Sequence, residues 1–215
     1  MNDRIEQLLR NNEAFVESHL RLDPGYFNRL ATGQHPEFLW IGCSDSRVPP
    51  NHITGTDPGD MFVHRNIANL VVQTDVNMLS VLQYAVEVLQ VRHVIVCGHH
   101  GCGGVQAAMG EHSHGLIDNW LRTIKDTQQF YWRELRALDE AARFDRLVEL
   151  NVIEQINNLA KTSIVQGAWK RGAPLALHGW VFDLHSGRIH PQTPPVDGNA
   201  GLQNICKFAK GLIGG

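Results

Sequence analysis

The sequence predicts an α/β fold in which helices flank a mainly parallel central sheet. Short apolar runs rich in β-branched residues alternate with segments whose apolar residues recur at helical spacing. This alternation is typical of parallel strands joined by helical connections, with helices on both faces of the sheet. The chain of 215 residues shows no internal repeat and no low-complexity linker, so we predict a single domain over residues 1–215.

An N-terminal arm is predicted to precede the sheet. Residues 3–20 carry an apolar stripe at helical spacing, and Asp23-Pro24 places a proline in the first turn of a second short helix. The stripe can pack on a partner subunit or on the body of its own chain. We interpret residues 1–33 as a helical arm and expect it to take part in dimerisation.

The strands and helices follow in order, separated by glycine, proline and polar residues. The predicted strands are residues 38–42, 61–64, 94–97 and 175–184, with a short fifth strand at Ile189. Helical patterns occupy residues 75–90, 102–109, 116–143 and 145–171, and an amphipathic segment covers 201–213. The helix at 75–90 is apolar on most sides, so we expect it to be well buried.

Composition argues against several function classes. Hydrophobic residues make up 43% of the chain and charged residues 19%, which is ordinary for a packed globular protein. The net charge is −3 and no run of Lys or Arg exceeds two, so we expect no nucleic-acid partner. We find no secretory signal and no membrane span, and the four cysteines therefore indicate thiols in a reducing compartment. The expectation is a cytoplasmic protein with a small-molecule partner.

Two short stretches carry the chemistry. Cys43 and Asp45 follow the first predicted strand, and His99 and Cys102 follow the third, in a loop rich in glycine. Sites on open parallel sheets lie beyond the carboxyl ends of the strands, so we expect the two stretches to meet. Thiolates with one imidazole favour zinc over magnesium or calcium. We predict one Zn²⁺ per chain, with Cys43, His99, Cys102 and Asp45 as its ligands.

Each of these residues alone has a simpler explanation. A single cysteine after a strand is usually a small buried hydrophobe, and we give Cys97 and Cys206 no further role. His100 competes with His99, but the three-residue step to Cys102 favours His99. The remaining histidines are interpreted as surface or hydrogen-bonding residues. A purely structural zinc is the other alternative, and the aspartate ligand and a nearby arginine argue against it.

That arginine, Arg47, gives Asp45 a second partner. A carboxylate on zinc completes the tetrahedron, whereas a carboxylate held by the planar fork of Arg47 opens the fourth position to water. We therefore predict that Asp45 switches between the metal and Arg47, and that both are catalytic. Two thiolates offset the zinc charge, so we expect the pKa of the bound water to lie near or above neutrality.

At this point the sequence resembles a known family, the β-class carbonic anhydrases. The paired motifs are residues 43–47 (Cys-Ser-Asp-Ser-Arg) and residues 99–104 (His-His-Gly-Cys-Gly-Gly). Residues 62–69, 83–86 and 178–180 also resemble family segments. The resemblance runs from about residue 34 to about residue 185, and the N-terminal arm also fits the family.

The resemblance implies reversible hydration of carbon dioxide to bicarbonate and a proton, with zinc-bound hydroxide as the nucleophile. It implies four parallel strands with a fifth at the edge, and assembly as homodimers or dimers of dimers. Cys43, His99 and Cys102 would be constant ligands. The small substrate pocket, partly supplied by the neighbouring subunit, would be lined by Gln34, Phe62, Ile67 and Tyr84, with a backbone amide from Gly103.

One departure from the family concerns inhibition. In a subset of members a tryptophan, an arginine and a tyrosine form a second pocket that binds bicarbonate. Trp40 and Arg65 match the first two, but Phe182 replaces the tyrosine and cannot donate a hydrogen bond. We predict that bicarbonate binds this pocket weakly or not at all. The alternative is that Trp40 and Phe182 are simply core aromatics.

Two other functions share these motifs. Relatives of this fold hydrolyse carbonyl sulfide or carbon disulfide, and the zinc motif does not separate those substrates from carbon dioxide. A third reading is a non-catalytic, zinc-stabilised module that binds a small anion or a partner. A complete ligand set together with Asp45 and Arg47 argues against that module.

Overall fold

A computed structural model describes residues 3–200. The chain divides into two units, of which the first ends at His35 and the second begins at Pro36. The amphipathic segment predicted at 201–213, and Cys206 within it, lie outside the described residues. No helix in the described part of the chain is both long enough and apolar enough to cross a membrane.

The first unit consists of two helices, α1 (Asp3–Leu22) and α2 (Tyr26–Ala31). Both predicted helices of the arm are present, but α2 begins at Tyr26 after an N-cap at Gly25, so the prediction that Pro24 lies in its first turn was wrong. The Asp23 carboxylate accepts a hydrogen bond from the Gly25 amide at 3.0 Å and pairs with Arg29, which fixes the turn between the helices. Aromatic rings from both helices meet there, with Tyr26 lying 4.7 Å from His19. No residue of α1 is buried, so its apolar stripe remains exposed.

The second unit is built on a five-stranded sheet in the order β2-β1-β3-β4-β5. The strands are β1 (Phe38–Cys43), β2 (Met61–Asn66), β3 (His93–His99), β4 (Ala176–Asp183) and β5 (Arg188–Pro191). The first four are parallel and β5 pairs with β4 in antiparallel fashion, which confirms the predicted fold class. Since the parallel strands end at one edge, Cys43 and His99 finish side by side on neighbouring strands.

Seven α-helices of this unit connect and cover the strands. They are α3 (Pro50–Thr54), α4 (Val76–Gln83), α5 (Gly103–Met109), α6 (Ile117–Phe130), α7 (Trp132–Leu135), α8 (Glu140–Ala160) and α9 (Ser163–Lys170). Helices α4 to α9 bury their apolar residues in one core with Leu39, Ile41 and other residues of the sheet. The opposite face carries a smaller cluster around Trp40 and Phe182, to which α3 contributes Ile53. Within residues 36–200 the helices are thus unevenly divided between the two faces.

The prediction of a single helix over residues 145–171 was wrong. The helix ends at Ala160, and Thr162 starts α9 with its hydroxyl accepting a hydrogen bond from the Val165 amide at 3.2 Å. Thr162 has an extended backbone, with ψ of 144°, so one continuous helix does not form. The apolar periodicity continues through this break because both helices face the same core.

The helical segments predicted at 75–90 and 116–143 also differ in detail. After α4 the chain forms a π-helical turn over Tyr84–Val88, in which the Leu89 amide donates to the Tyr84 carbonyl at 2.9 Å. The buried residues are Met78, Leu82, Ala85 and Val86, whereas Tyr84 and Val88 are exposed, so the expectation of a helix buried on most sides was wrong. The second segment comprises α6, α7 and the first residues of α8.

Candidate metal centre

Three of the predicted ligands come together at the carboxyl edge of the sheet. Cys43 is the last residue of β1, His99 is the last of β3, and Cys102 directly precedes α5. One donor atom from each lies within 4.8 Å of the others. The three residues are 6%, 0% and 1% exposed, so the donors face a space screened from solvent.

The donor geometry fits a tetrahedral zinc ion. The two sulfur atoms are 3.9 Å apart, close to the ~3.8 Å expected when each lies about 2.3 Å from one tetrahedral ion. His99 directs Nδ1 at the His100 carbonyl, 2.9 Å away, and this fixes the ring. Its Nε2 is buried without a hydrogen-bond partner in the described residues, which fits a nitrogen that binds a metal. His100 lies outside this group of donors.

The two thiols shift each other's pKa in opposite directions. The hydrogen bond from Cys102 is the largest of several influences that lower the pKa of Cys43 to about 4, and the amides of Asp45 and Ala68 assist. The pKa of Cys102 is correspondingly raised, first by Cys43 and then by burial. For His99, burial acts to lower the pKa, but the hydrogen bond and charge of Cys43 outweigh it and the net shift is upward. Such a pocket attracts a cation.

Asp45 is paired with Arg47 in this structure. The Arg47 Nε and Nη2 groups donate to Asp45 Oδ1 at 2.9 Å and to Oδ2 at 2.7 Å, in the bidentate arrangement of a planar fork. Arg47 Nη2 also donates to the Gly101 carbonyl at 3.2 Å. These contacts hold the pKa of Asp45 well below its usual range, the Arg47 hydrogen bond being the largest cause. Asp45 Oδ2 nevertheless lies only 3.6 Å from His99 Nε2, which is within reach of the metal position.

Arg65 anchors the loop that carries Asp45. Its Nε donates to the Cys43 carbonyl at 2.8 Å, and its Nη2 donates to the carbonyls of Asp45 at 2.5 Å and Val48 at 3.2 Å. The backbone on both sides of Asp45 is therefore fixed, and exchange between partners requires rotation of the Asp45 side chain alone. The sequence pointed to Arg65 only through the second bicarbonate pocket, because a contact with backbone carbonyls leaves no mark in the sequence.

The expected second bicarbonate pocket is largely filled by its own side chains. Trp40 and Phe182 are 1% and 7% exposed and belong to the same apolar cluster. Trp40 also lies on Gly42, where an added Cβ would be 2.2 Å from the indole Nε1. This packing agrees with the alternative in which both are core aromatics.

The expected substrate-pocket residues are distributed over both units. Phe62 and Tyr84 have ring centroids 5.8 Å apart, and Tyr84 and Ile67 are exposed. Gly103 begins α5 with open space where a Cβ would stand. Gln34 belongs to the first unit and is exposed. Side chains that line a pocket in one chain alone would be more enclosed than Ile67 and Tyr84 are.

A strained turn at Ala68 and Asn69, beside the ligands, was not predicted from the sequence. Ala68 and Asn69 have φ angles of 63° and 51°, in the left-handed region that non-glycine residues rarely adopt. Each such residue costs of order 1–2 kcal/mol. No sequence signal marks Ala68, but the two amides that support the turn, Asn151 and Gln155, interrupt the otherwise apolar face of α8 and could have been noticed.

Comparison with known proteins gives one consistent result. The sequence model of the family described as carbonic anhydrase matches residues 38–189. A carbonic anhydrase of Emericella nidulans is 46% identical over 208 residues, which are 96% of this chain and 91% of that protein. One of Pseudomonas aeruginosa is 36% identical over 225 aligned positions, covering 94% of this chain and 98% of that protein.

Solved structures agree with the sequence relatives. A tetrameric β-carbonic anhydrase of Sordaria macrospora superposes with a TM-score of 0.86 at 40% identity, covering 91% of this chain and all (100%) of that one. The Coccomyxa β-carbonic anhydrase in complex with acetazolamide superposes with a TM-score of 0.89 at 35% identity, covering 93% of this chain and 90% of that one.

Proposed function

The chain belongs to the β-carbonic anhydrase family and is a carbonate dehydratase, and from this premise we propose how its residues carry out the reaction. Cys43, His99 and Cys102 hold one zinc ion, and Asp45 alternates between that ion and Arg47. The observation that carries this proposal is the buried, unpartnered His99 Nε2 between two thiols, 3.6 Å from a carboxylate that has an alternative partner.

Zinc bound there would supply Lewis-acid chemistry, lowering the pKa of a coordinated water so that it can attack carbon dioxide at moderate pH. The protein residues determine when water can enter. Asp45 held by Arg47 would leave room for water beside the three residues that would hold the metal. Asp45 rotated toward His99 Nε2 would place its carboxylate there and exclude water.

Asp45 has a second task in the open state. Its carboxylate accepts hydrogen bonds only, because its lowered pKa keeps it ionised across the working pH range. An ionised acceptor beside the fourth position orients an O–H group and directs a lone pair toward the incoming carbon. Arg65 supports this step by fixing the carbonyls of Cys43 and Asp45.

We also propose that the enzyme acts as a homo-oligomer. Tyr84 and Val88, on the π-helical turn, are 46% and 61% exposed. Ile67, which directly follows β2, is 38% exposed. Such apolar exposure beside a site is typical of a surface that a partner subunit covers. The Sordaria relative is tetrameric, which supports this assembly. The exposed stripe of α1 supports the dimerisation role expected of residues 1–33.

The test is a stopped-flow assay of the purified protein with carbon dioxide across pH, with zinc measured on the same sample. We expect one zinc per chain and a hydration rate that rises above neutral pH, because two thiolates offset the metal charge. Parallel assays with carbonyl sulfide and carbon disulfide should give far lower rates. Hydrolysis of either sulfur compound faster than carbon dioxide hydration would favour the alternative substrate. Zinc without turnover of any gas would indicate the non-catalytic module.

A further inference from the structure

The turn at Ile67–Asn69, here called the 67–69 turn, is held in an unusual conformation next to the metal centre. Ala68 and Asn69 have φ angles of 63° and 51° and are 0% and 1% exposed. Two consecutive left-handed residues without glycine persist only where neighbouring groups hold them. Ala68 brings no side-chain hydrogen bond that would favour this conformation, so the support comes from elsewhere.

Two buried amides on α8 supply much of that support. Asn151 Nδ2 donates to the Ala68 carbonyl at 3.1 Å, and Gln155 Nε2 donates to Asn151 Oδ1 at 3.0 Å. Gln155 Oε1 in turn accepts from the Val71 amide at 2.8 Å. Asn151 and Gln155 are 1% and 0% exposed on an otherwise apolar face. A buried chain of amides with its donors and acceptors matched in this way stabilises one backbone arrangement.

The 67–69 turn contacts the ligands from two directions. It follows directly on Asn66, which pairs with Cys43 between β2 and β1 and whose carbonyl accepts a hydrogen bond from the Ser44 amide at 2.9 Å. On its other side the turn packs against the loop that carries Cys102: a Cβ added at Gly104 would come within 2.8 Å of Ile67 Cγ2 and 3.2 Å of the Ala68 Cβ. A displacement of this turn would therefore move both sulfur ligands, whose separation is 3.9 Å.

We propose that Asn151 is a positioning residue of the metal centre, which acts through the Ala68 carbonyl to hold the 67–69 turn against the loop that carries Cys102. This inference rests on the proposed zinc site. Residues that orient metal ligands from outside the donor set contribute to metal affinity, so loss of this support should weaken metal binding. Asn151 touches neither metal nor substrate.

The experiment compares variants loaded with Co²⁺, whose thiolate charge-transfer absorption reports the sulfur ligands directly. Asn151→Leu keeps the approximate volume and removes the donor to Ala68. We expect it to weaken Co²⁺ affinity by roughly 10–100-fold, measured by chelator competition, and to shift the thiolate band. Adding Ala68→Gly should restore part of the affinity, because glycine adopts the left-handed conformation without external support.

Tyr131→Phe is the matched control. It removes the 2.7 Å hydrogen bond that Tyr131 donates to Glu154. Glu154 lies on α8, as Asn151 does, but makes no hydrogen bond to the 67–69 turn in the described residues. It should leave the Co²⁺ affinity and the thiolate band unchanged even if it lowers the melting temperature. An Asn151→Leu protein with wild-type affinity and spectrum would overturn the proposal. If that variant does not fold, Asn151→Ser is judged by the same two measurements.

The same measurements separate this inference from the function on which it rests. The metal centre is established independently of Asn151 if the wild type binds one Co²⁺ and shows the thiolate charge-transfer band, and if Cys43→Ser loses that band. Absence of that band in the wild type would overturn the metal centre and the inference together. Presence of the band in the wild type with no change in Asn151→Leu would overturn the inference alone.

Discussion

At the scale of single residues, the chemistry depends on where one carboxylate points. Asp45 has two partners within reach, Arg47 at 2.7 Å and the metal position next to His99 Nε2 at 3.6 Å. Because the pKa of Asp45 is depressed by Arg47, its folded-state charge is retained as pH falls below the ordinary aspartate range. A rate change near neutral pH would therefore reflect proton loss from water rather than titration of Asp45.

Replacement of Arg47 by alanine should close the site. Without the guanidinium, Asp45 keeps only the backbone amide of residue 47 as a hydrogen-bond donor and is freer to rotate to the proposed metal, so we expect the carbon dioxide hydration rate to fall at least ~10-fold while zinc content stays at one per chain. Stopped-flow kinetics and metal analysis on the same sample measure both. Arg146→Ala, which removes another paired arginine remote from the ligands, should keep its activity. Full activity in Arg47→Ala would show that the pairing does not control access.

Bicarbonate inhibition is a second property decided by one residue. Phe182 has no hydroxyl, and with Trp40 it fills an apolar cluster. We expect bicarbonate titration to inhibit the wild type little and Phe182→Tyr more strongly, measured as the initial hydration rate at fixed pH. Strong inhibition of the wild type that the substitution leaves unchanged would contradict this prediction.

At the scale of elements, helix ends fix where the supporting side chains lie. Helix α8 is capped by Asp139 at its start, and α9 is capped by Thr162. On α8, Asn151 and Gln155 face the 67–69 turn, and the chain breaks after Ala160 before α9 begins. A single uninterrupted helix would continue in a straight line and would not cover the same core.

The Thr162 cap should have a measurable effect on stability. Its hydroxyl accepts from the Val165 amide and donates to the Leu159 carbonyl at 2.8 Å, and the residue is buried. Thr162→Ala removes both hydrogen bonds and should lower the free energy of unfolding by ~1 kcal/mol, measured by urea denaturation. Thr162→Ser keeps the hydroxyl and should retain most of that stability. Equal losses in the two variants would assign the effect to the methyl group instead.

At the scale of the whole molecule, the proposed substrate pocket and the proposed subunit surface share residues. The expected pocket residues Ile67 and Tyr84 are exposed in the single chain, as is Val88. The proposed oligomer would cover these side chains and exclude water from the region around the fourth metal position. Assembly and activity should therefore be coupled.

Val88→Asp tests that coupling. A carboxylate in an apolar interface is costly to desolvate, so we expect the dissociation constant of the oligomer to rise at least ~10-fold and the hydration rate to fall with it. Light scattering coupled to size-exclusion chromatography gives the mass, and the rate is measured at the same concentration. Phe130→Asp is the control, since Phe130 is 76% exposed and lies at the far end of α6 from Trp120, the residue of that helix that hydrogen-bonds to Ile67. Normal activity in a dissociated Val88→Asp protein would contradict the coupling.

The sequence alone determined the fold class and the identity of the donors. Local apolar patterns predict the strands and their parallel arrangement. Because parallel strands end at one edge of the sheet, the same patterns bring together Cys43, His99 and Cys102. The resemblance to a family added the reaction. These features are local in the chain or follow from topology, so they can be recognised without coordinates.

Only the tertiary structure decided how the donors are supported. The hydrogen bonds of Arg65 to three carbonyls, the left-handed Ala68 and its support by Asn151 join residues that are far apart in sequence. The end of α8 at Ala160 was likewise decided by packing and capping, which apolar periodicity does not encode. A donor set is a property of residue type and spacing, whereas the shell that orients it depends on contacts formed only when the whole chain has folded.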